Sequence, residues 1–346
     1  MNEECLNDTP FYMKGEIKMS KQTYNKVYTK DKWEKVNSYN KQLLDDYILN
    51  IKSEGKTEGS IKQYFNDARI ILIYIMEEHK NKEFYKLKAK SFRNFKLWCQ
   101  EKGMSPARTN RLLVTCRNLL NFGMEDEDFE EDFEDCRINT NRLKGLQKEE
   151  VRDIVFLTDE EVEIIYNRLI QDKKYSQALL CALLYDTAAR RNEVFQLKRE
   201  DISLDRNITK NEVIGKRKKK FRLIYNDRTK EAFKIFEENR TDDYDTLWLT
   251  ISGEPASYES LYNWCVAWRD ILKEETGVYK EFGSHSFRHS CLEELNTGEH
   301  YIARKMGKKF DLKELQLLAN HSDLSTTNGY LKNKDEDMLM AAFGLN

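Results

Sequence analysis

Residues 187–197 read TAARRNEVFQL, a stretch that sets Arg190 between two helical segments. The apolar segment over residues 175–187 predicts one helix, and a second helix is predicted to begin just after Arg190. An arginine in this position has two interpretations. It pairs with Glu193 three residues further on, or its forked and permanently charged guanidinium group binds an anion.

Two more short patterns follow in the C-terminal half. Residues 285–289 read HSFRH, so a helix would place His285 and Arg288 on one face. Residues 317–321 read LLANH, and Tyr330 follows that histidine by nine positions. Each pattern alone has an ordinary explanation: a core histidine, a surface contact between histidine and arginine, or a packed aromatic ring. Their order along the chain is what favours a shared site.

A basic turn lies between the first two of these patterns. Residues 211–214 and 221–225 resemble short strands, and residues 215–220 between them read GKRKKK. This spacing predicts a β-hairpin with a lysine-rich turn. The rest of this half is predicted to be helical, so the fold class is mainly α with a small β-sheet (α+β).

The N-terminal half contains four apolar stripes with helical spacing between residues 36 and 124, joined by short connections. Thr57 is a predicted helix cap, and Ser105 is another, followed by proline at the first helical position. The pattern predicts a small all-α domain. Its fourth helix carries three arginines, which form a solvated face or contact phosphate groups: Arg108, Arg111 and Arg117.

These patterns divide the chain into an N-terminal extension or arm (1–35), the helical domain (36–124), an acidic linker (125–155) and a second, mixed domain (156–346). Residues 125–135 contain nine acids and no base. The run is either a solvated segment or a shield over a basic groove, anchored by Phe129 and Phe133. The whole chain has a net charge of -2, so the chain outside this run is net basic and can face phosphate groups.

The composition excludes several classes of protein. No run of 18 apolar residues predicts a membrane span, and the N-terminus lacks a signal-peptide pattern, so we expect a cytoplasmic protein without membrane contact. The seven cysteines are scattered singly. Their odd number and their spacing favour reduced thiols over a disulfide framework or a metal site.

Taken together, the second half resembles the catalytic domain of the tyrosine recombinases, the family of phage integrases and chromosome-dimer resolvases. The matching positions, in chain order, are Thr187, Arg190, Glu193, Leu197, Gly215, Lys216, His285, Arg288, His289, Leu317, Leu318, His321, Ser325, Thr326, Thr327 and Tyr330. The four-helix region is similar to the family's core-binding domain. The resemblance covers residues 36–346 and implies a helical domain and a mixed catalytic domain that form a clamp around DNA.

The resemblance also implies a role for each site residue. The catalytic set would be Arg190, Lys216, His285, Arg288, His321 and the nucleophile Tyr330, supported by Glu193 and His289. Arg108, Arg111, Arg117, Lys218 and Lys219 would bind DNA, and Lys218 or Lys219 is an alternative to Lys216 as the proton donor. The reaction would be site-specific strand exchange through a 3′-phosphotyrosine intermediate, with no metal, no other cofactor and no ATP.

Three departures from the family pattern bear on the local geometry. Ala188 and Ala189 replace the usual Gly-Leu pair, and Asn320 replaces the glycine before the histidine. Residues 298–309 resemble an insertion between Arg288 and His321.

The expected partners are double-stranded DNA, accessory DNA-bending or directionality proteins, and further copies of the chain. The C-terminal tail, residues 335–346, has apolar residues that dock on its own domain or link a homotetramer on DNA. The family implies a bacterial, phage or mobile-element origin. The alternatives are a type IB topoisomerase-like strand transferase, a catalytically silent DNA-binding accessory protein and a metal-dependent nuclease. The target sequence, and the choice between integration, excision, inversion and dimer resolution, stay open.

Overall fold

The computed structural model describes residues 27–134, 136, 143–147, 154–320, 327 and 331. The chain divides into two compact units, residues 1–151 and residues 152–346. Within the described residues the secondary structure is mostly helical, with one antiparallel sheet of two strands. The predicted class, mainly α with a small β-sheet, is confirmed.

The secondary structure of the first unit is helical in its described part. Its helices are α1 (Lys30–Lys35), α2 (Ser38–Ser53), α3 (Glu58–Glu78), α4 (Ala89–Glu101), α5 (Pro106–Glu125) and α6 (Glu130–Phe133). The predicted caps are present, because Thr57 accepts the backbone N–H of Ser60 and Ser105 accepts that of Arg108. Helices α2 to α5 are the four predicted from the apolar stripes, and their buried faces form one core.

This unit extends beyond the predicted boundaries of 36 and 124. Val27 and Val36 are buried in its core and Trp33 packs against it, so residues 27–35 belong to this unit. Phe129, Phe133 and Leu143, which fall in the predicted linker, are buried in the same core. A few large apolar side chains are enough to fix a polar segment that has no helical period. Residues 1–26 of the predicted arm lie outside the described residues.

Asp126 and Asp128 of the acidic run lie close enough to Asp46 to affect its titration. Burial, together with the charges of Asp126 and Asp128, raises the pKa of Asp46 above its usual value. The run therefore adds to an already acidic neighbourhood, and its two phenylalanines anchor it there. This arrangement favours the solvated segment over the shield of a basic groove.

The second unit contains the sheet and the remaining described helices. They are α7 (Asp159–Gln171), α8 (Tyr175–Thr187), α9 (Arg191–Phe195), β1 (Val213–Ile214), β2 (Lys220–Phe221), α10 (Asp227–Glu238), α11 (Tyr258–Thr276), α12 (Ser284–Thr297), α13 (Tyr301–Met306) and α14 (Leu312–Leu318). The strands pair in antiparallel register, Val213 with Phe221 and Ile214 with Lys220. This is the predicted hairpin, shorter than the sequence pattern suggested.

Helix α8 is the centre of the second unit. Every residue from Ser176 to Thr187 is buried, as expected for a helix that is apolar on all sides. Helices α7, α10 and α12 pack around it. The packing of these helices therefore fixes the position of the C-terminal end of α8, where the stretch 187–197 begins. No helix in the described part of the chain is both long enough and apolar enough to cross a membrane.

Candidate active site

The Arg190 side chain is held by Glu193 at the junction between α8 and α9. The backbone N–H of Arg190 donates to Glu193 Oε2 at 2.7 Å, and Arg190 Nη1 donates to Oε1 at 2.8 Å. The Glu193 side chain is 2% exposed, whereas that of Arg190 is 28% exposed. The ion-pair interpretation of Arg190 therefore holds, and part of the arginine surface is still accessible to an anion.

The lysine hairpin approaches this ion pair at Gly215. A Cβ atom on Gly215 would lie 3.1 Å from Glu193 Oε1 and 2.6 Å from the Phe221 ring, so only glycine allows this approach without a shift. The Gly215 N–H donates to the Lys219 carbonyl at 2.8 Å and closes the turn. Lys216, Lys218 and Lys219 are all exposed. The hairpin therefore starts against Glu193 and presents its lysines to solvent.

Gln196 holds the hairpin from the other side, and sequence reasoning did not identify it. Its side-chain oxygen accepts the N–H of Ile214 at 2.8 Å, and its nitrogen donates to the Ile214 carbonyl at 2.9 Å. The same nitrogen donates to the Asn192 carbonyl at 2.8 Å. No local sequence pattern predicts this contact, because Gln196 and Ile214 are 18 positions apart.

Helix α12 carries the HSFRH pattern and brings two histidines together. The His285 and His289 rings lie 6.1 Å apart, and His289 packs edge-on against Phe156 at 6.0 Å. Burial, followed by the charges of His289, Arg288 and Arg190, lowers the pKa of His285 below its usual value. His285 still has an exposed face. An accessible imidazole that is neutral at pH 7 can accept a proton.

Arg288 lies in the interior and joins two helix ends. Its side chain is 1% exposed. Nη1 donates to the Ala188 carbonyl and Nη2 donates to the Ala319 carbonyl, the latter at 2.7 Å. Because Ala188 ends α8 and Ala319 ends α14, Arg288 brings the first and third sequence patterns to one place. The carbonyl that Arg288 Nη1 contacts belongs to Ala188, two residues before Arg190.

The two departures from glycine keep the backbone conformation that glycine favours. Ala188 has a φ of 49° and Asn320 a φ of 51°, both in the left-handed region. Asparagine tolerates this region, whereas alanine is strained there. Both residues therefore adopt the left-handed conformation that a glycine would adopt without strain.

The inserted segment 298–309 is packed onto the end of α8. It forms α13, and the Tyr301 hydroxyl donates to the buried carboxylate of Asp186 at 2.7 Å. Arg304 pairs with Asp159 at the start of α7. His300 is buried, with its ring stacked on Tyr185 at 4.5 Å. The inserted segment thus forms a helix that is hydrogen-bonded to the end of α8 and paired with the start of α7.

Two of the predicted catalytic residues, His321 and Tyr330, lie outside the described residues. Their described neighbours in sequence belong to the second unit, since Thr327 is buried and Leu331 packs against the core. Of the remaining four, Arg190 follows the end of α8 and Arg288 binds the Ala188 carbonyl there. His285 lies within reach of the charges of both arginines, and Lys216 follows Gly215, which lies against Glu193. Among the described residues, no group of histidine, cysteine or acidic side chains could hold a metal ion.

The predicted DNA-binding arginines of α5 have a structural partner. Arg108 and Arg111 both bind the carboxylate of Asp67, Arg111 through Nε at 3.0 Å. Asp67 is 1% exposed, whereas the Arg111 side chain is 45% exposed. Arg117 is half-buried. Asp67 thus fixes two arginine side chains that the sequence pattern left as a solvated face or a phosphate contact.

Comparison with known proteins identifies the family. The model of the phage integrase family matches residues 155–337. The chain is 24% identical over 311 residues to the SPbeta prophage-derived recombinase-like protein YomM of Bacillus subtilis, covering 86% of this chain and 89% of that protein. It is 22% identical to the tyrosine recombinase XerC of Staphylococcus saprophyticus, covering 86% of this chain and 94% of that protein.

Solved structures agree in fold. The Tn1549 transposon integrase in complex with circular intermediate DNA aligns with a TM-score of 0.63 at 16% identity, covering 87% of this chain and 98% of that one. A lambda integrase dimer bound to a COC′ core site also aligns with a TM-score of 0.63, at 15% identity, covering 89% of this chain and 82% of that one. The family match spans more than half of the chain and includes the Arg190, hairpin and Arg288 segments. The chain therefore belongs to the phage integrase family and is a tyrosine recombinase, an enzyme of site-specific DNA recombination.

Proposed function

We propose that this recombinase cuts and rejoins double-stranded DNA through a covalent 3′-phosphotyrosine at Tyr330, without metal or ATP. The observation that carries the proposal is the meeting of two arginines at the end of α8. Arg190 follows that end, and Arg288 binds the Ala188 carbonyl there. Two permanently charged groups near one helix end suit a phosphodiester, because attack on it adds negative charge to its oxygens.

The first chemical step forms one bond and breaks one bond. The Tyr330 oxygen attacks phosphorus, the P–O5′ bond breaks, and the 3′ phosphate stays on the enzyme. His285 accepts the tyrosine proton, since its lowered pKa leaves the imidazole neutral at pH 7. Lys216 donates a proton to the leaving 5′ oxygen. His321, assigned from its place in the family pattern, donates a hydrogen bond to a non-bridging oxygen.

Rejoining reverses this step with a different strand. A 5′ hydroxyl attacks the phosphotyrosine, the bond from phosphorus to Tyr330 breaks, and the tyrosine recovers its proton. One phosphodiester is exchanged for another, so no ATP is needed. The arginines supply the charge stabilisation that metal ions supply in two-metal nucleases.

The two arginines contribute differently in this proposal. Arg190 keeps an accessible surface and can bind a non-bridging oxygen through its forked N–H groups. Arg288 is buried, and a buried charge acts over a longer distance because the low-dielectric surroundings screen it less. Arg288 also positions the backbone at Ala188, so its loss would disturb both geometry and charge.

The partners are part of the same proposal. The exposed lysines 218 and 219 and the arginines of α5 would contact the DNA backbone. The tail 335–346 would link four copies on DNA, and accessory proteins would set direction. Such a recombinase, encoded by a bacterium, a phage or a mobile element, would act in the cytoplasm.

The test is covalent trapping on a suicide substrate. A duplex carrying the site that flanks the gene is nicked near the scissile phosphate, so that cleavage releases a short strand and cannot reverse. Incubation in EDTA with wild type is expected to give a DNA-linked protein band that resists SDS. Tyr330→Phe should abolish the band, whereas the control Tyr279→Phe should keep it, because Tyr279 is an exposed tyrosine with no assigned role.

Each other outcome contradicts part of the proposal. A band that persists in Tyr330→Phe means that another residue attacks. A band that EDTA removes means that a metal is required. Tight site-specific binding with no band for wild type favours the catalytically silent accessory protein.

A further inference from the structure

The hairpin that carries Lys216 has little structure of its own. Its strands are two residues each, and the closing bond of the turn is that from the Gly215 N–H to the Lys219 carbonyl. Arg217 and Lys218 have φ values of 61° and 59°, a conformation that side chains other than glycine and asparagine disfavour. Ile214 is 48% exposed, so apolar packing does not fix it. Val213 is buried in the core and Phe221 packs against it, so the two strands are anchored, and a further contact at Ile214 would set the position of the turn that follows.

Gln196 provides that support because its side chain forms the hydrogen bonds that a neighbouring strand would form. Its amide group has a donor and an acceptor, and both meet Ile214: the oxygen accepts at 2.8 Å and the nitrogen donates at 2.9 Å. A third strand would satisfy the same two backbone groups in the same way. The bond from Gln196 to the Asn192 carbonyl fixes the orientation of the amide. Ile214 lies only two residues before Lys216.

The support comes from the helix that also fixes Arg190. Gln196 follows the last residue of α9, and Glu193 on the same helix binds Arg190 and lies against Gly215. The hairpin is therefore attached to α9 at two consecutive residues, Ile214 by hydrogen bonds and Gly215 by close contact. Any shift of α9 moves Arg190 and the start of the lysine turn together.

We propose that Gln196 is a positioning residue that holds Lys216 at the distance from a phosphate bound by Arg190 that is needed to protonate the leaving 5′ oxygen. The inference rests on the proposed function, because it assumes that Lys216 is the proton donor. In this role Gln196 acts through the Ile214 backbone on the hairpin that carries Lys216. Its removal should leave phosphate binding intact and slow only the step that needs the lysine proton.

A substrate with a sulfur leaving group separates these steps. In a 5′-bridging phosphorothiolate the P–O5′ bond is replaced by P–S5′, and the thiolate leaves without a proton because a thiol has a pKa of about 8.5. We expect Gln196→Ala to lower the single-turnover cleavage rate on the ordinary substrate about 10-fold, equivalent to about 1.4 kcal/mol. On the sulfur substrate the variant should cleave at the wild-type rate. Lys216→Ala should show the same rescue from a larger loss.

A double-mutant cycle gives a second, independent readout. If Gln196 acts through Lys216, the variant lacking both side chains should be no slower on the ordinary substrate than Lys216→Ala alone. Asn192→Ala is the matched control, since this side chain is exposed on the same helix and should leave both rates unchanged. Thermal unfolding of each variant identifies any loss of fold.

Several results would overturn the inference while the proposed function survives. Equal slowing of Gln196→Ala on both substrates means that the residue is only structural. Additive losses in the double mutant mean that it does not act through Lys216. Lack of sulfur rescue for Lys216→Ala means that another group, such as Lys218 or Lys219, is the donor. By contrast, if the wild-type protein forms no covalent product with either substrate, the proposed function itself is contradicted.

Discussion

Replacing Glu193 with glutamine tests how the Arg190 side chain is held. Both carboxylate oxygens of Glu193 accept hydrogen bonds from Arg190, one from its backbone N–H at 2.7 Å and one from Nη1 at 2.8 Å. Glutamine has the same shape but offers one acceptor. Its amide nitrogen would face one of the two donors, so Glu193→Gln loses one hydrogen bond and the charge of the pair.

The size of the effect follows from burial. A hydrogen bond to a charged group contributes about 1.5–3 kcal/mol, and breaking a buried ion pair costs about 3–5 kcal/mol. The Glu193 side chain is 2% exposed but that of Arg190 is 28% exposed, so water compensates part of the loss on the arginine. We therefore expect the free energy of unfolding to fall by about 3 kcal/mol, close to a 100-fold change in the folding equilibrium.

Urea denaturation of wild type and variant measures this loss, followed through the unfolding of the second unit. Glu212→Gln is the control, because Glu212 is exposed beside the same hairpin and its change should stay within about 0.5 kcal/mol. Covalent trapping should also slow, since the released guanidinium group samples more rotamers. If Glu193→Gln lost no more stability than the control, the pair would not hold Arg190, and the argument from its two hydrogen bonds would fail.

Three further predictions concern the surroundings of this junction. Ala188→Gly should raise the free energy of unfolding by up to about 1 kcal/mol in denaturation, since relief of the positive φ exceeds the greater chain entropy of glycine. Tyr301→Phe should lower the same free energy by about 1–3 kcal/mol, because it removes a hydrogen bond to the buried Asp186 carboxylate; stability equal to wild type would refute this contribution. The single-turnover cleavage rate should be constant through neutral pH and fall only below pH of about 6.5. Protonation of His285 removes the base, and the pKa of His285 lies below its usual value. A rate that already falls above that pH would contradict this role.

The features that the sequence predicted are local ones. The cap at Thr57, the apolar helix 175–187 and the lysine hairpin each depend on residues within one or two turns of the chain. The pairing of Arg190 with Glu193 is equally local, at a spacing of three. Such contacts follow from periodicity and side-chain chemistry, so the pattern of a short segment is sufficient to find them.

The contacts that the sequence did not predict join distant segments. Arg288 reaches a carbonyl 100 positions earlier, and Gln196 binds a strand across 18 positions. Backbone carbonyls carry no sequence signature, so an arginine that binds them looks the same as one that binds phosphate. The linker prediction was revised for a related reason: Phe129 and Leu143 stand alone in polar sequence, and only the surface they meet makes them core residues.

The same backbone contacts explain how the chain loses two glycines of the family pattern and keeps the site. Arg288 needs two carbonyl oxygens, one where α8 ends and one where α14 ends. Each oxygen lies at or next to a residue in the left-handed conformation, Ala188 in one case and Asn320 in the other. That conformation is disfavoured by about 1–2 kcal/mol for alanine, whereas hydrogen bonds from a charged donor stabilise by about 1.5–3 kcal/mol each. The hydrogen bonds to Arg288 thus outweigh the strain at Ala188. What Arg288 requires at these two helix ends is the direction of the carbonyl groups, and glycine is not needed to provide it.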